Sequence, residues 1–414
     1  MKRLSILLFV ALAWLAFGVR THAANPPATG GEPTIRVLIF STSGSATMVT
    51  TTGFRVLAEG VVAFESARGG TVTAYRDGND VVVRHDATGQ STANEDGLTI
   101  EPAAKPVSVA GVWYPGSIRA LPRDDGGIDL VSVVPLETYL EGVVPHEIGE
   151  PGPEAYAAVE AQAIAARTYA MSRMKLNHNK PFDVESGVMD QVYRGTEKRG
   201  RMATAAVNDT RGMVMMHKGN LCDAYYCATC GGHTSDIRLI WPDRPSAPYL
   251  YGRRDRESEN DSFCATARNF RWRYSFSGRQ LGETVRRTLP VVLGVDEDDI
   301  GELVDVNVKE RSASGRVQKL EIVTSTEKFV VEGDKIRRVL MLDVAKGRIL
   351  PSTLFDVEKV MNGSRVGIVS IAGGGNGHGV GMCQNGALGM ARKGYSFAMI
   401  LQHYYPGSEL KPGY

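Results

Sequence analysis

The 414-residue chain lacks an excess of either charge: 47 Lys and Arg stand against 46 Asp and Glu, for a formal net charge of +1. No global field therefore draws it to nucleic acid or to an anionic membrane. It also lacks an internal repeat and, beyond the N-terminus, any apolar run long enough to be a second membrane span. A nucleotide fingerprint is missing too. The glycine-rich segment Gly373-Gly374-Gly375-Asn376-Gly377-His378-Gly379-Val380-Gly381 yields G-x-G-x-x-G from no starting position, and no Gly-Lys-Ser/Thr follows it. Dinucleotide and P-loop chemistry are unsupported, and no nucleotide cofactor is expected.

What is present begins with a leader. Lys2 and Arg3 precede an apolar run from Leu4 to Phe17, and Thr21-His22-Ala23-Ala24 ends in small residues, the three-part pattern of a secretory signal. We therefore expect residues 1–24 to be a signal peptide and the protein to be exported to the periplasm, cell wall or exterior. An uncleaved signal that tethers it to the membrane is the alternative. Residues 25–34, rich in Pro, Gly, Ala and Thr, read as a flexible leader.

The remainder has an ordinary globular composition, 43% hydrophobic and 22% charged. Its pattern is α+β. Over residues 35–112, short β-branched segments (36–40, 54–57, 61–64, 81–84) alternate with turn residues, which predicts a β-rich N-terminal region. From about 113 to 410 we expect a second domain with a mixed sheet and a central Ala-rich helix over Glu154–Lys175. Pro135 suits the start of a preceding helix, which Pro145 is expected to stop. Residues 275–346 read as an inserted α+β subdomain. Two helices, 384–392 and 396–404, follow the glycine-rich loop.

Several residues depart from plain core and surface patterning. Glu147 follows the Pro145 stop among apolar Val143, Val144 and Ile148. Apolar neighbours disfavour the charged carboxylate and raise its pKa, which suits a general acid. On local pattern alone, a solvated glutamate at a loop start accounts for it better. Glu137 and Glu141 read as a solvated face or as partners for arginines. Gln162 and Tyr169 share a face of the long helix and Arg167 a neighbouring one, a polar set among alanines that suits either a ligand wall or an ordinary helix surface. His378 is displayed among glycines that imply unusual backbone dihedrals or a close approach. The spacing Cys222-x4-Cys227-x2-Cys230-x2-His233 can supply a tetrahedral zinc set. In an exported protein the rival is a disulfide. Our expectation is Cys230 to Cys264, then Cys222 to Cys227, with zinc as the alternative and no cofactor otherwise.

Five ordered motifs then carry a resemblance: Val134 to Glu147 (V-P-L-E-x-Y-L-x-G-V-V-P-x-E), Ala161 to Ala170 (A-Q-A-x-A-A-R-T-Y-A), Gln191 to Gly195 (Q-V-Y-x-G), Cys230 to Thr234 (C-G-G-x-T) and Gly377 to Ala387 (G-H-G-V-G-M-C-Q-x-G-A). Together they resemble the stage II sporulation protein D family, with its amidase-enhancer LytB branch, over about 113–406. The resemblance implies a lytic transglycosylase that cuts the β-1,4 bond between N-acetylmuramic acid and N-acetylglucosamine in peptidoglycan glycan strands and leaves 1,6-anhydro ends. It places the catalytic glutamate at Glu147 and makes Arg167, Tyr169, Gln191, Tyr193, His378 and Gln384 candidate substrate-binding residues. Its other branch implies a non-catalytic partner that stimulates a cell-wall amidase. Cys383, where Ser is commoner, and Asn376, where an aromatic often stands, depart from the family pattern.

Overall fold

The computed structural model describes residues 31–197, 200–258 and 261–414. The expected signal, 1–24, and most of the expected leader lie outside the described residues. The fold is mixed α+β. An eleven-stranded sheet runs from the short strand Val184–Glu185 through Thr34–Thr42, Ile128–Pro135, Ser117–Pro122, Leu98–Pro102 and Ala46–Ala58 to Val61–Asp77, Asp80–His85 and Ser91–Asn94, with Val107–Val109 and Val112–Tyr114 branching from Ala46–Ala58. Pairing along it is antiparallel except where Val184–Glu185 lies parallel to Thr34–Thr42. Alternation decides which side faces inward: Ile35 and Val37 of the first strand are fully buried, and so are Val134 and Ser132 opposite them.

The sheet and its core cross the boundary expected near residue 112. Thr34–Thr42 pairs with Ile128–Pro135, and one apolar cluster joins Ile35 and Val37 to Tyr139, Ile164 and Tyr405. The last strand residue, Pro135, caps the first helix. The helices are α1 (Leu136–Glu147), α2 (Tyr156–Leu176), α3 (Arg201–Asp209), α4 (Ile237–Ile240), α5 (Gly278–Leu293), α6 (Lys335–Val339), α7 (Gln384–Arg392) and α8 (Phe397–Tyr404). None of them is long and apolar enough to cross a membrane.

Two local expectations need correction. Pro145 does not stop α1, which continues to Glu147. Proline costs a helix one N–H bond, but only two residues follow here, and Ile148 N–H still reaches the Val144 carbonyl at 3.1 Å. Glu32, expected in a structureless leader, accepts the Glu137 amide at 2.8 Å and thereby satisfies one of the open N–H groups at the start of α1.

Helix α2 is the centre of the molecule. Ala158, Ala161, Ala163, Ala165, Ala166 and Ala170 are all fully buried, and the small side chains let α1, α3, α7 and α8 approach it from several sides. Arg167 is also fully buried. Its Nε and Nη2 each reach a Glu137 carboxylate oxygen at 2.7 Å, and its remaining N–H groups go to the carbonyls of Val207 (3.1 Å) and Met213 (3.2 Å) and to the Thr210 hydroxyl (3.4 Å). Burial pushes the Glu137 carboxyl up, but the Arg167 guanidinium, the Tyr414 hydroxyl and the Gly212 amide together hold it below its ordinary value. The other side of α1 is fitted as closely. A Cβ at Gly142 would lie 2.4 Å from the Gly195 carbonyl oxygen and 2.7 Å from the Tyr193 ring.

A second hydrophobic core lies apart from the first. Leu281, Val285 and Leu289 of α5 pack with Leu320, Ile322, Val369 and Ile371 from two three-stranded sheets. Its elements run from Trp272 to Gly373, wider than 275–346, because Phe355–Asn362 and Arg365–Gly373 pair in one sheet with Trp272–Ser277.

Removing one member of the buried α1–α2 ion pair leaves the other charge without compensation. Glu137→Ala is expected to cost about 3–5 kcal/mol of unfolding free energy, measured by urea denaturation. A loss below about 1 kcal/mol, the size of an exposed pair, would contradict that account.

Candidate active site

Glu147 is the final residue of α1, so the helix aims its side chain toward the junction of α2, the 186–195 segment and α7. The carboxyl is half-buried. Its Oε1 accepts the Val192 backbone N–H at 2.8 Å, and its Oε2 accepts the Gln384 side-chain amide at 3.3 Å. Burial is the largest influence and raises its pKa; the two hydrogen bonds oppose that rise without cancelling it. Neither partner is a carboxylate or a cation. The group can therefore hold a proton above the ordinary carboxylate range, and once it has lost the proton it retains two neutral donors.

The residues around it form a connected set. Gln384, the first residue of α7, also donates to Gln162 Oε1 of α2 at 3.4 Å. Gln162 is fully buried, and its Nε2 has no protein acceptor among the described residues. Gln191, fully buried, takes the Tyr139 hydroxyl on its Oε1 at 3.0 Å and donates through Nε2 to the Tyr226 hydroxyl at 2.9 Å and the Ala166 carbonyl at 3.2 Å. Burial and the nearby Glu147 charge both push the Tyr226 phenol up, so it stays protonated. Tyr169 donates to Asp190 Oδ1 at 2.5 Å, and its ring meets Tyr225 at 5.8 Å. Tyr225 in turn contacts Trp241 and His378, whose rings lie 4.8 Å apart. The partly exposed rings of Tyr225, Trp241 and His378 suit the apolar faces of sugars, and the amides suit their hydroxyls.

The sequence-derived candidates separate into groups. Gln384 touches Glu147 directly, and Gln191 stands behind it through Tyr226 and Tyr139. His378 belongs to the aromatic cluster instead. Its Nδ1 accepts the Val380 N–H at 3.0 Å, and burial lowers its pKa to about 4, so the imidazole is neutral with its proton on Nε2. The glycines around it, Gly375, Gly377, Gly379 and Gly381, all have positive φ. Tyr193 is fully buried between Tyr139 and Tyr114, at ring distances of 4.8 and 5.7 Å. Arg167 is committed to Glu137 and exposes no atom from which to bind a ligand; its place is in the packing of α1 on α2. Tyr226 and Gln162 complete the immediate surroundings of Glu147. Tyr226 lay inside a motif segment but carried no periodicity or charge to single it out.

The structure joins no two cysteines: the Sγ atoms of the expected pair Cys230 and Cys264 are neighbours at 3.7 Å without a bond between them, and Cys222 and Cys227 are not bonded either. The zinc set Cys222, Cys227, Cys230, His233 does not assemble either. Cys230 is grouped instead with Asp255, Cys264 and Cys383. The reason lies in the pairing of Tyr226–Cys227 with Met382–Cys383, which carries the Cys230 segment to the start of α7. His233 is turned to the Thr234 carbonyl.

Comparison with known proteins gives two family matches. The model described as Stage II sporulation protein covers residues 124–217, which include Glu147 and Gln191, and one described as a domain of unknown function (DUF8618) covers 248–381. The chain is 32% identical over 317 residues to an uncharacterised protein of Brachyspira hyodysenteriae, spanning 76% of this chain and 74% of that one. It is 28% identical over 301 residues to stage II sporulation protein D of Bacillus amyloliquefaciens, spanning 68% of this chain and 75% of the relative. It is also 26% identical over 301 residues to the amidase enhancer of Bacillus subtilis, where the match spans 66% of this chain but only 40% of the relative.

The raised Glu147 pKa has a consequence for stability. A carboxyl that binds its proton more tightly when folded destabilises the fold as pH rises from the ordinary carboxylate range through the raised value, and not below it. Glu147→Gln removes that cost. The melting temperature of the variant relative to the wild type should therefore rise as the pH is increased upward from the ordinary carboxylate range. A difference that is flat, or that falls, would contradict the burial account.

Proposed function

The chain belongs to the stage II sporulation protein D family, and from that footing we propose that it acts outside the cytoplasmic membrane as a lytic transglycosylase on peptidoglycan glycan strands, with Glu147 as its acid and base. The observation that carries the reading is the state of Glu147: a helix-terminal carboxyl, half-buried, biased toward its protonated form and contacted only by neutral donors. In the first half of the reaction the Glu147 carboxyl gives its proton to the glycosidic oxygen as the bond from that oxygen to C1 breaks. The resulting carboxylate, held by Val192 N–H and Gln384, then takes the proton of the sugar's own C6 hydroxyl as O6 bonds to C1. Atoms balance without water, and the 1,6-anhydro end is the product. One carboxyl performs both proton transfers in turn, whereas the usual glycosidase places two across the bond. Gln191, Tyr226 and Gln162 fix the surroundings of Glu147, and the Tyr225, Trp241 and His378 rings offer a platform for neighbouring sugars.

A second reading follows from the relative named amidase enhancer: binding of the glycan without cleavage, to stimulate a partner amidase. Retention of a carboxyl in a protonatable state favours the enzyme, since a binding groove gains nothing from it.

Incubation with intact and with peptide-free peptidoglycan, followed by mass spectrometry, is expected to show 1,6-anhydro ends. In Glu147→Gln, kcat should fall by about 10²–10⁴-fold with glycan binding retained, the size of a lost general acid. The wild-type rate should decline as pH rises through the Glu147 pKa, because the proton-donating form is lost. Unchanged cleavage by the variant would remove Glu147 from the mechanism. No cleavage of either substrate, with a rise in amidase turnover, would put the enhancer in its place.

A further inference from the structure

Behind Gln384, four buried donors from distant parts of the chain meet at one point. The Sγ atoms of Cys230, Cys264 and Cys383 and a carboxylate oxygen of Asp255 all lie within 4.8 Å of one another. Cys230, Cys264, Cys383 and Asp255 are each fully buried. The Cys230 Sγ is 3.7 Å from the Cys264 Sγ and 3.2 Å from Asp255 Oδ2. Around zinc, with a Zn–S bond of about 2.3 Å, adjacent sulfurs of a tetrahedron stand about 3.7–3.8 Å apart. The donor set suits such an ion, and the Cys230–Cys264 separation matches that spacing.

The surroundings are those of a metal centre rather than of a redox pair. A disulfide would use two of the thiols and leave Cys383 and Asp255 without a role. Backbone N–H groups point at the sulfurs: Gly232 N at 3.4 Å from the Cys230 Sγ, and Cys230 N and Gly386 N at 3.2 and 3.3 Å from the Cys383 Sγ. Such donors favour thiolates, the form a metal binds. The other Asp255 oxygen receives the Tyr404 hydroxyl at 2.5 Å, the kind of outer contact that orients a ligating carboxylate. The backbone ties the segments together as well, since Asp255 N reaches the Gly232 carbonyl and Phe263 N the Asp255 carbonyl, each at 3.0 Å. Helix α7 must come close: a Cβ at Gly386 would sit 2.5 Å from Asp255 Oδ1 and 2.1 Å from the Tyr404 oxygen.

We propose that Cys230, Cys264, Cys383 and Asp255 bind one zinc ion, or a comparable thiophilic divalent cation, in a closed structural site that fixes the start of α7. Cys383 is the N-cap of that helix and Gln384 is its first residue, so the ion would hold the Glu147 partner in place from behind. Four protein donors leave no open position, which makes the role structural. The proposal concerns metal content and is independent of whether the glycan is cut.

The test uses the full chain purified without chelator. Elemental analysis should give one zinc per chain, and cobalt exchanged into the site should show thiolate-to-cobalt charge-transfer absorption. After denaturation with chelator, all five cysteines should alkylate. Chelation should lower the melting temperature, and added zinc should restore it. Cys264→Ser and Cys383→Ser should lose the metal, while Cys222→Ser keeps it. Zinc absent even after reconstitution, with every thiol free, would overturn the proposal. So would a Cys230–Cys264 disulfide, seen as two fewer alkylated thiols, or metal retained at full affinity in both ligand variants.

Discussion

The ion pair between Arg167 and Glu137 is the constraint on which the candidate site depends. A guanidinium with no exposed atom, in the middle of an alanine-rich helix, is tolerable only if each of its donors is used, and here they are divided between one carboxylate, the Val207 carbonyl in α3, the Thr210 hydroxyl, and the carbonyl of Met213 that opens the strand Met213–His217. The pair locks α1 onto α2 at one end. At the other end of α1 the same rigid helix delivers Glu147. Between the two, Gly142 allows contact with the Tyr193 and Gly195 segment, whose neighbour Val192 supplies a donor to the Glu147 carboxylate. A structural charge and a chemical one thus lie on a single twelve-residue helix, and the position of the second depends on the burial of the first.

The two carboxyls show how environment assigns roles. Both are withdrawn from water, which by itself raises the pKa of each. Glu137 meets a cation and several donors and is held ionised. Glu147 meets only two neutral donors, so burial prevails and the proton is retained to higher pH. The difference comes from what faces each side chain. Glu137 sits in the first turn of α1, against Arg167; Glu147 sits in the last, against the start of α7.

Much of this was legible in the sequence, and the limits have physical causes. Periodicity found α2 nearly to the residue, because a long stretch without Gly or Pro and with small apolar residues admits little else. It placed the short α7 and α8 to within a residue as well, although α7 carries Gly386 and Gly389. The end of α1 was misplaced at Pro145, since a proline in the final turn forfeits one bond that the last turn can do without. Glu147 stood out only through its motif; the burial that tunes it comes from Val192 and Gln384, 45 and 237 residues away along the chain. Arg167 was misjudged because charge predicts exposure, and only packing shows that an arginine is fully enclosed. The cysteine grouping was legible only in part: Cys230 and Cys264, expected together, are neighbours at 3.7 Å, but the zinc spacing linked Cys230 to Cys222, Cys227 and His233, whereas strand pairing brings it to Cys383, 153 residues away.

The central claim is that a single carboxyl, Glu147, moves both protons and that the sugar's own C6 hydroxyl takes the place of water. Digestion of peptide-free glycan in oxygen-18 water tests this most directly. The account predicts anhydro ends that carry no heavy oxygen in the wild type and no new ends with Glu147→Gln. Heavy oxygen at the newly formed ends, lost in that variant, would show that Glu147 activates water instead and would contradict the account.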